Sequence, residues 1–209
     1  MIHIVDYGLG NVQAFANMYK RLGFEAVRAT SAADLDSATR IILPGVGAFD
    51  HAMEELEASG MRAPLEYLVK ERKVPVLGIC VGMQILASTS EEGSRAGLGW
   101  IPGRVRSFRS AVESAQLPMP HMGWNDVVPS ADASLFKGLE ADSRFYFLHS
   151  FFFDCDSPGH ALARASYGLD FSCAVAADNV YGVQFHPEKS HHYGATLLKN
   201  FAELPYAEA

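Results

Sequence analysis

The sequence contains few cysteines, and they show no arrangement typical of disulfide scaffolds or of zinc modules. Cys80, Cys155 and Cys173 form an odd, widely spaced set without a CxxC pair. Such usage is typical of free thiols in a reducing compartment. We therefore expect a cytoplasmic protein without structural disulfides.

Excess basic charge and long apolar segments are also lacking. The formal net charge is -7, and no run of Lys and Arg offsets it locally, which disfavours a nucleic acid partner. No stretch reaches the roughly 18 uninterrupted apolar residues that a membrane helix needs. The chain opens on a strand-like apolar run without a basic leader. We expect neither nucleic acid nor a membrane as a partner.

What is present indicates one globular α/β domain over residues 1–209. Hydrophobic residues make up 49% of the chain, enough for a sizeable core. In the first half, strand-like runs at 2–5, 40–43 and 74–79 alternate with helical patterns at 12–22, 50–58 and 61–72. Gly23 is the predicted stop of the first helix. The alternation predicts a central, mostly parallel sheet flanked by helices.

The second half differs in texture from about Gly99 onward. Shorter strand-like pieces are separated by Pro, Gly, Asn and Asp, and a helix is predicted from about residue 192 to 203. The pieces lie at 104–108, 125–128, 144–148, 161–165, 171–176 and 180–185. We predict a more antiparallel C-terminal half that shares the same core.

The segment 78–82 has the pattern of a nucleophile elbow, G-x-nucleophile-x-G, with Cys80 in place of serine. It follows a predicted strand and precedes residues 83–87, which are predicted to be helical. Side chains at the flanking Gly78 and Gly82 would clash with the strand or the helix, and a helix N-terminus favours the thiolate. The alternative is an inert buried cysteine, which is the favoured interpretation for Cys155 and Cys173.

A proton shuttle for the thiol is available in the segment 181–190. His186 follows an apolar strand and could take and return the proton, and Glu188 could orient the imidazole. A surface histidine at a strand end is the alternative. His186, Glu188, His191 and His192 could also hold zinc, but their spacing matches none of the usual patterns. We expect no metal site.

The pair Gly8 and Gly10 could suggest a dinucleotide fingerprint. The third glycine of G-x-G-x-x-G is missing, however, since Ala14 and Phe15 stand in that region. We therefore reject binding of NAD and expect no cofactor.

Taken together, Gly78-Ile79-Cys80-Val81-Gly82-Met83-Gln84 and the segment 182–190 resemble the class I, triad-type glutamine amidotransferases. Three further segments, at 6–11, 43–49 and 120–125, narrow the resemblance to the family of imidazole glycerol phosphate synthase glutaminase subunits. It extends over essentially the whole chain.

The resemblance implies that Cys80 attacks the glutamine carboxamide to form a thioester, with His186 as acid and base and Glu188 orienting it. Ammonia and then glutamate would leave. The same resemblance implies an oxyanion and glutamine pocket, made of Gly45, Val46, Gly47, Val81, Gln84, Glu92, His149 and Ser150. Glycines let a backbone N–H turn toward an oxyanion. A plain strand-to-helix turn is the alternative for residues 44–47.

The resemblance further implies a partner, a (β/α)₈-barrel cyclase subunit (HisF-like) that forms a heterodimer with the chain and receives its ammonia for histidine biosynthesis. Asn11, Met122, Trp124 and Lys189 are the expected contact residues. Trp124 could instead be an ordinary core aromatic.

Two positions depart from the family pattern and leave the recipient of the ammonia open. Phe151 stands where tyrosine usually follows the His-Ser pair, and Trp100 stands where an aliphatic residue is usual. Related paralogues supply ammonia for amidation of a surface-polysaccharide sugar, which is one alternative. A scaffold without activity and a partner-independent hydrolase are two others.

Overall fold

The computed structural model describes residues 1–111, 117–131, 133–139 and 143–206. The remaining residues of the predicted domain, 1–209, lie outside this part. The strands are β1 (Ile2–Val5), β2 (Ala26–Ala29), β3 (Arg40–Gly45), β4 (Val76–Cys80), β5 (Thr89–Ser90), β6 (Gly103–Ser107), β7 (His121–Asp126), β8 (Val128–Pro129), β9 (Arg144–His149), β10 (Phe151–Cys155), β11 (Ala161–Ser166), β12 (Asp170–Ala177) and β13 (Val180–Val183). The helices are α1 (Val12–Leu22), α2 (Phe49–Ala58), α3 (Arg62–Lys70), α4 (Val81–Gln84), α5 (Phe108–Ala111) and α6 (His191–Ala202).

One large sheet organises the described residues. Its main path runs in the order β2-β1-β3-β4-β13-β12-β10-β6-β5, and β11 and β8 extend it beside β12. Strands β2, β1, β3, β4 and β13 are parallel neighbours. From β13 to β12, β10 and β6 the pairing is antiparallel. The predicted fold class, a mostly parallel sheet with helices and a more antiparallel C-terminal half, is confirmed.

The central parallel strands β3 and β4 are buried, which explains their continuous apolar sequence. Every residue of β4 is buried, and so are all but the first of β3. Helix α1 begins where the Asn11 side chain accepts a hydrogen bond from the Ala14 amide at 3.2 Å. It ends at Gly23, which has φ +80°. The predicted bounds of this helix are confirmed.

The helix predicted over residues 83–87 is wrong in extent, because α4 covers only Val81–Gln84. The carbonyls of Ile85 and Leu86 accept hydrogen bonds from the amides of Leu98 and Trp100, at 2.8 Å and 2.9 Å. A helix needs those carbonyls for its own amides, so the long-range bonds end it.

Strands β7 and β9 form a separate antiparallel pair. Their register places His121 opposite His149 and Trp124 opposite Tyr146. Side chains on β7 alternate, so His121 faces inward while Met122 and Trp124 face outward. In the described part of the chain, none of the helices has both the length and the apolar character of a membrane span.

Candidate active site

Cys80 occupies the sharp turn between β4 and α4. Its backbone has φ 56° and ψ −114°, a conformation that non-glycine residues seldom adopt. Such strain persists only where the surroundings hold it in place, and it is typical of functional positions. The turn points the sulfur away from the strand and into a cavity.

The two glycines of the elbow are required by close backbone approach. A Cβ at Gly78 would lie 2.5 Å from the Gly82 carbonyl oxygen. A Cβ at Gly82 would lie 1.9 Å from the Leu43 carbonyl oxygen. Both contacts are with backbone atoms, which cannot move aside as a flexible side chain can. The clash predicted from the sequence is therefore present at both positions.

The sheet brings His186 to the same place. Strands β13 and β4 run parallel in register, with Val183 opposite Ile79, so the residues that follow them meet at the carboxyl edge of the sheet. The His186 and Cys80 side chains line the same cavity and interact electrostatically. Its Nδ1 lies 2.9 Å from Oε1 of Glu188, and both side chains are nearly completely buried.

The charge state of His186 follows from these contacts. Burial by itself lowers the pKa of the imidazole, since it disfavours the charged form. The interactions with Cys80 and Glu188 favour the charged ring, outweigh burial and raise the pKa to about 9. The imidazolium is therefore the favoured form near neutral pH.

A cavity of about 300 Å³ opens beside the thiol. Its walls include Cys80, His186 and most of the residues expected around glutamine, namely Val46, Gly47, Val81, Gln84, Glu92, His149 and Ser150. Gly45 is buried beneath the wall, opposite Cys80 in the register of β3 and β4. Glu188 lies behind His186 and does not line the cavity. Gly47 has φ +91°, so the backbone turns sharply where an oxyanion donor is expected.

Gln84 and Glu92 stand on one side of this cavity. The Gln84 amide donates to Oε1 of Gln184 at 3.0 Å and to the Phe151 carbonyl at 3.3 Å. Glu92 accepts from the Phe49 amide at 2.9 Å. Burial raises the pKa of the Glu92 carboxyl, and the bond from Phe49 opposes that rise. The cavity thus offers a carboxylate to a cationic group.

The four residues expected at a partner interface are exposed, and Lys189 among them lines the cavity. Met122 is 60% exposed and Trp124 is 38% exposed. The Trp124 ring stacks on His191 with 5.2 Å between ring centroids, so the alternative of a core tryptophan is wrong. Lys189 is exposed at the cavity and lies over the Tyr146 ring, while Asn11 is exposed and caps α1.

Sequence reasoning assigns no role to several residues that build the site. Leu148, Phe151 and Pro120 complete the cavity wall. Gln184 is fully buried, and its amide lies 3.9 Å from the Cys80 sulfur. The available signal for Gln184 is its place two residues before His186. The available signal for Leu148 and Phe151 is their position next to the His149-Ser150 pair, and for Pro120 it is its position before His121.

The remaining candidates lie away from the cavity. Cys155 and Cys173 have no contact with it. His191 and His192 are exposed at the start of α6, as predicted. Within the part of the chain that the structure describes, no group of three or more His, Cys, Asp or Glu residues is placed to hold a metal ion.

Comparisons with known proteins agree on one family. The family described as glutamine amidotransferase class-I matches residues 3–204. A curated relative from Bdellovibrio bacteriovorus, named imidazole glycerol phosphate synthase subunit HisH, is 67% identical over 98% of this chain and 100% of its own length. A relative of the same name from Leptospira interrogans is 52% identical over the same shares.

Solved structures agree at the level of the fold. A crystal structure of a glutamine amidotransferase superposes with a TM-score of 0.69 at 23% identity, covering 95% of this chain and 98% of that one. A chain in the structure of PurLQS from Thermotoga maritima gives 0.70 at 17% identity, covering 96% of each chain.

Proposed function

Because this chain belongs to the class-I glutamine amidotransferase family, we propose that it is the glutaminase subunit of an imidazole glycerol phosphate synthase. The observation that carries the proposal is that Cys80, on its strained elbow, shares a cavity wall with a buried His186 that is paired with Glu188. The two curated relatives bear that subunit's name, and each is matched over its whole length.

The proposed reaction begins when the thiol proton of Cys80 passes to His186 and the sulfur attacks the side-chain carboxamide carbon of glutamine. The oxyanion that forms is stabilised by backbone N–H groups of the residues around Val46, Gly47 and Val81. His186 donates a proton to the departing nitrogen, and ammonia and a glutamyl thioester result. Water, deprotonated by His186, then attacks the thioester, so glutamate leaves and the thiol is restored.

The glutamine pocket follows from the charges on the cavity wall. Glutamine carries an α-ammonium group, and Glu92 is the carboxylate that the wall offers to it. Gln84, His149 and Ser150 complete the proposed pocket. In the proposed complex, the substrate side chain extends toward Cys80.

We infer that the partner is a (β/α)₈-barrel cyclase, which receives the ammonia in a heterodimer. The partner-facing surface would include Asn11, Met122, Trp124 and Lys189. Ammonia released into water would be largely protonated and no longer nucleophilic, so a sealed interface is chemically required. A cytoplasmic location fits the free thiols. The curated relatives give no support to a surface-polysaccharide sugar as recipient, despite the departures at Trp100 and Phe151.

Glutamate release in the presence and absence of the cyclase tests the proposal. We expect turnover to rise sharply when the cyclase is bound, because the oxyanion donors need to be set only when the acceptor is present. Equal turnover without the cyclase would indicate a hydrolase. Absence of turnover under both conditions would indicate a scaffold.

A further inference from the structure

A chain of hydrogen bonds joins strand β7 to the candidate nucleophile. The Asn125 amide lies 3.2 Å from Nε2 of His121, and Nδ1 of His121 lies 2.8 Å from Nε2 of His149. Nδ1 of His149 lies 2.8 Å from the Phe151 carbonyl oxygen. The two histidines are buried and directly opposite each other across β7 and β9.

The groups on either side of the two histidines, the Phe151 carbonyl and the Asn125 amide, fix the position of each ring proton. A carbonyl oxygen only accepts, so Nδ1 of His149 carries its proton and Nε2 is left as an acceptor. His121 must then donate from Nδ1 and accept at Nε2. The other end agrees independently, because the Asn125 amide nitrogen also donates to the Ser166 carbonyl at 2.9 Å, while its Oδ1 accepts from the Asp126 amide.

Both rings are therefore neutral and share one tautomer. A proton added to either ring would place one N–H against another. Burial, acting in the same direction, lowers the pKa of His121 to about 4 and that of His149 to about 3. Aromatic rings also restrain His121, which stacks between Phe147 and Tyr167 at centroid distances of 4.8 Å and 4.1 Å.

The chain continues from Phe151 to the sulfur. The Phe151 carbonyl accepts from both His149 and Gln84, and the Gln84 amide also donates to Gln184. The Gln184 amide in turn lies 3.9 Å from the Cys80 sulfur. The Phe151 carbonyl thus connects His149 to the side-chain amides of Gln84 and Gln184, which lie beside the nucleophile.

We propose that His121 and His149 are positioning residues for the glutaminase reaction. They hold the Phe151 carbonyl in place, and this carbonyl in turn fixes the amides of Gln84 and Gln184 beside Cys80. This inference rests on the proposed function. Strand β7 presents Met122 and Trp124 outward, so the chain begins on the inner face of the strand expected to meet the partner.

Steady-state glutaminase kinetics of the cyclase complex test the role of the chain. His121→Phe keeps a ring but removes the donor to His149, and we expect the KM for glutamine to rise about tenfold, because a buried acceptor loses its partner. His121→Asn keeps a donor near Nδ1 and should restore KM to within about threefold of wild type. His51→Phe, on the exposed face of α2, is the matched control and should change nothing.

KM is the informative quantity, because a purely structural role would reduce the folded fraction and lower the apparent kcat at unchanged KM. A folded His121→Phe complex with wild-type KM would overturn the proposal, as would an Asn variant as defective as the Phe variant. If His121→Phe does not fold, Asn125→Ala removes the outer donor at a partly exposed position. We then expect a rise in KM of about threefold, and an unchanged KM would overturn the proposal.

Nitrogen NMR of the wild-type imidazoles gives a second test that does not depend on turnover. We expect both rings to be protonated at Nδ1 alone between pH 6 and 8. A proton on Nε2 of either ring would contradict the chain. A wild-type complex with this tautomer but no glutaminase activity would instead contradict the proposed function.

Discussion

Nδ1 of His186 lies 2.9 Å from Oε1 of Glu188, so the imidazole that lines the cavity beside Cys80 is held from behind by a buried carboxylate. Because this bond occupies Nδ1, Nε2 is the ring nitrogen left to exchange a proton with Cys80. Glu188 also supplies negative charge to a ring that burial would otherwise keep neutral.

The charge of His186 is the first testable consequence. Its pKa is raised to about 9, so the ring should remain protonated through neutral pH and lose its proton only as the pH approaches 9. Glu188→Gln removes one source of the rise and should move the midpoint downward. NMR titration of the His186 ring protons measures both midpoints.

Glu203→Gln, at an exposed carboxyl after α6, is the matched control for that titration and should leave the His186 midpoint in place. A midpoint near the ordinary value of about 6.5 in the wild-type protein would contradict the arrangement described here.

The elbow glycines provide a prediction about stability. Gly82→Ala forces a Cβ to within 1.9 Å of the Leu43 carbonyl and should lower the free energy of unfolding by about 3 kcal/mol. Urea denaturation measures the change. Gly159→Ala, at an exposed glycine where the nearest atom would be 3.7 Å away, should change stability by less than about 0.5 kcal/mol. Equal effects of the two substitutions would show that the elbow is not tightly packed.

The three cysteines should differ in reactivity. Burial raises the pKa of the Cys155 and Cys173 thiols, which keeps them in the unreactive protonated form, whereas Cys80 faces a cavity beside an imidazolium. Brief treatment with iodoacetamide at pH 7.5, followed by peptide mass spectrometry, should therefore label Cys80 first. Cys80→Ala protein should show little labelling over the same time. Labelling of Cys173 at a rate equal to that of Cys80 would contradict this account.

Trp124 should contribute to partner binding and little to folding. Its indole is partly exposed and stacks on His191, and aromatic residues of this kind are frequent hot spots of interfaces. Trp124→Ala should weaken binding of the cyclase at least tenfold, or about 1.4 kcal/mol, as measured by isothermal titration calorimetry. Tyr67→Ala, at an exposed aromatic on α3, should leave the affinity unchanged. Equal affinities for both variants would place the interface elsewhere.

The sequence predicts the elements nearest the site because their local signals are strong. Apolar runs followed by glycine or proline mark strand β4, the elbow and the segment around His186. Strand β2 is not predicted, because Ala26–Ala29 is a short edge strand that contains an arginine and buries only Ala29 completely. Strand β10 is also missed, since its three consecutive phenylalanines give no alternation.

Long-range pairing sets the remaining features, and no local pattern reveals it. The shortened α4 depends on amides of residues 98–101, and the contact between His121 and His149 depends on the register of two strands that are 28 residues apart. Exposure of Trp124 likewise follows from the side of β7 that faces the core. The motif at residues 120–125 does not show which face of β7 packs on the core and which is exposed.

Substitution of the nucleophile in the intact complex tests the central claim most directly. Cys80→Ala should abolish synthesis that depends on glutamine, because no thioester can form. Synthesis supplied with external ammonia should continue at close to the wild-type rate, because the cyclase still receives its substrate. Loss of both activities, or glutamine-dependent synthesis that survives the substitution, would contradict the role of Cys80 as the attacking group.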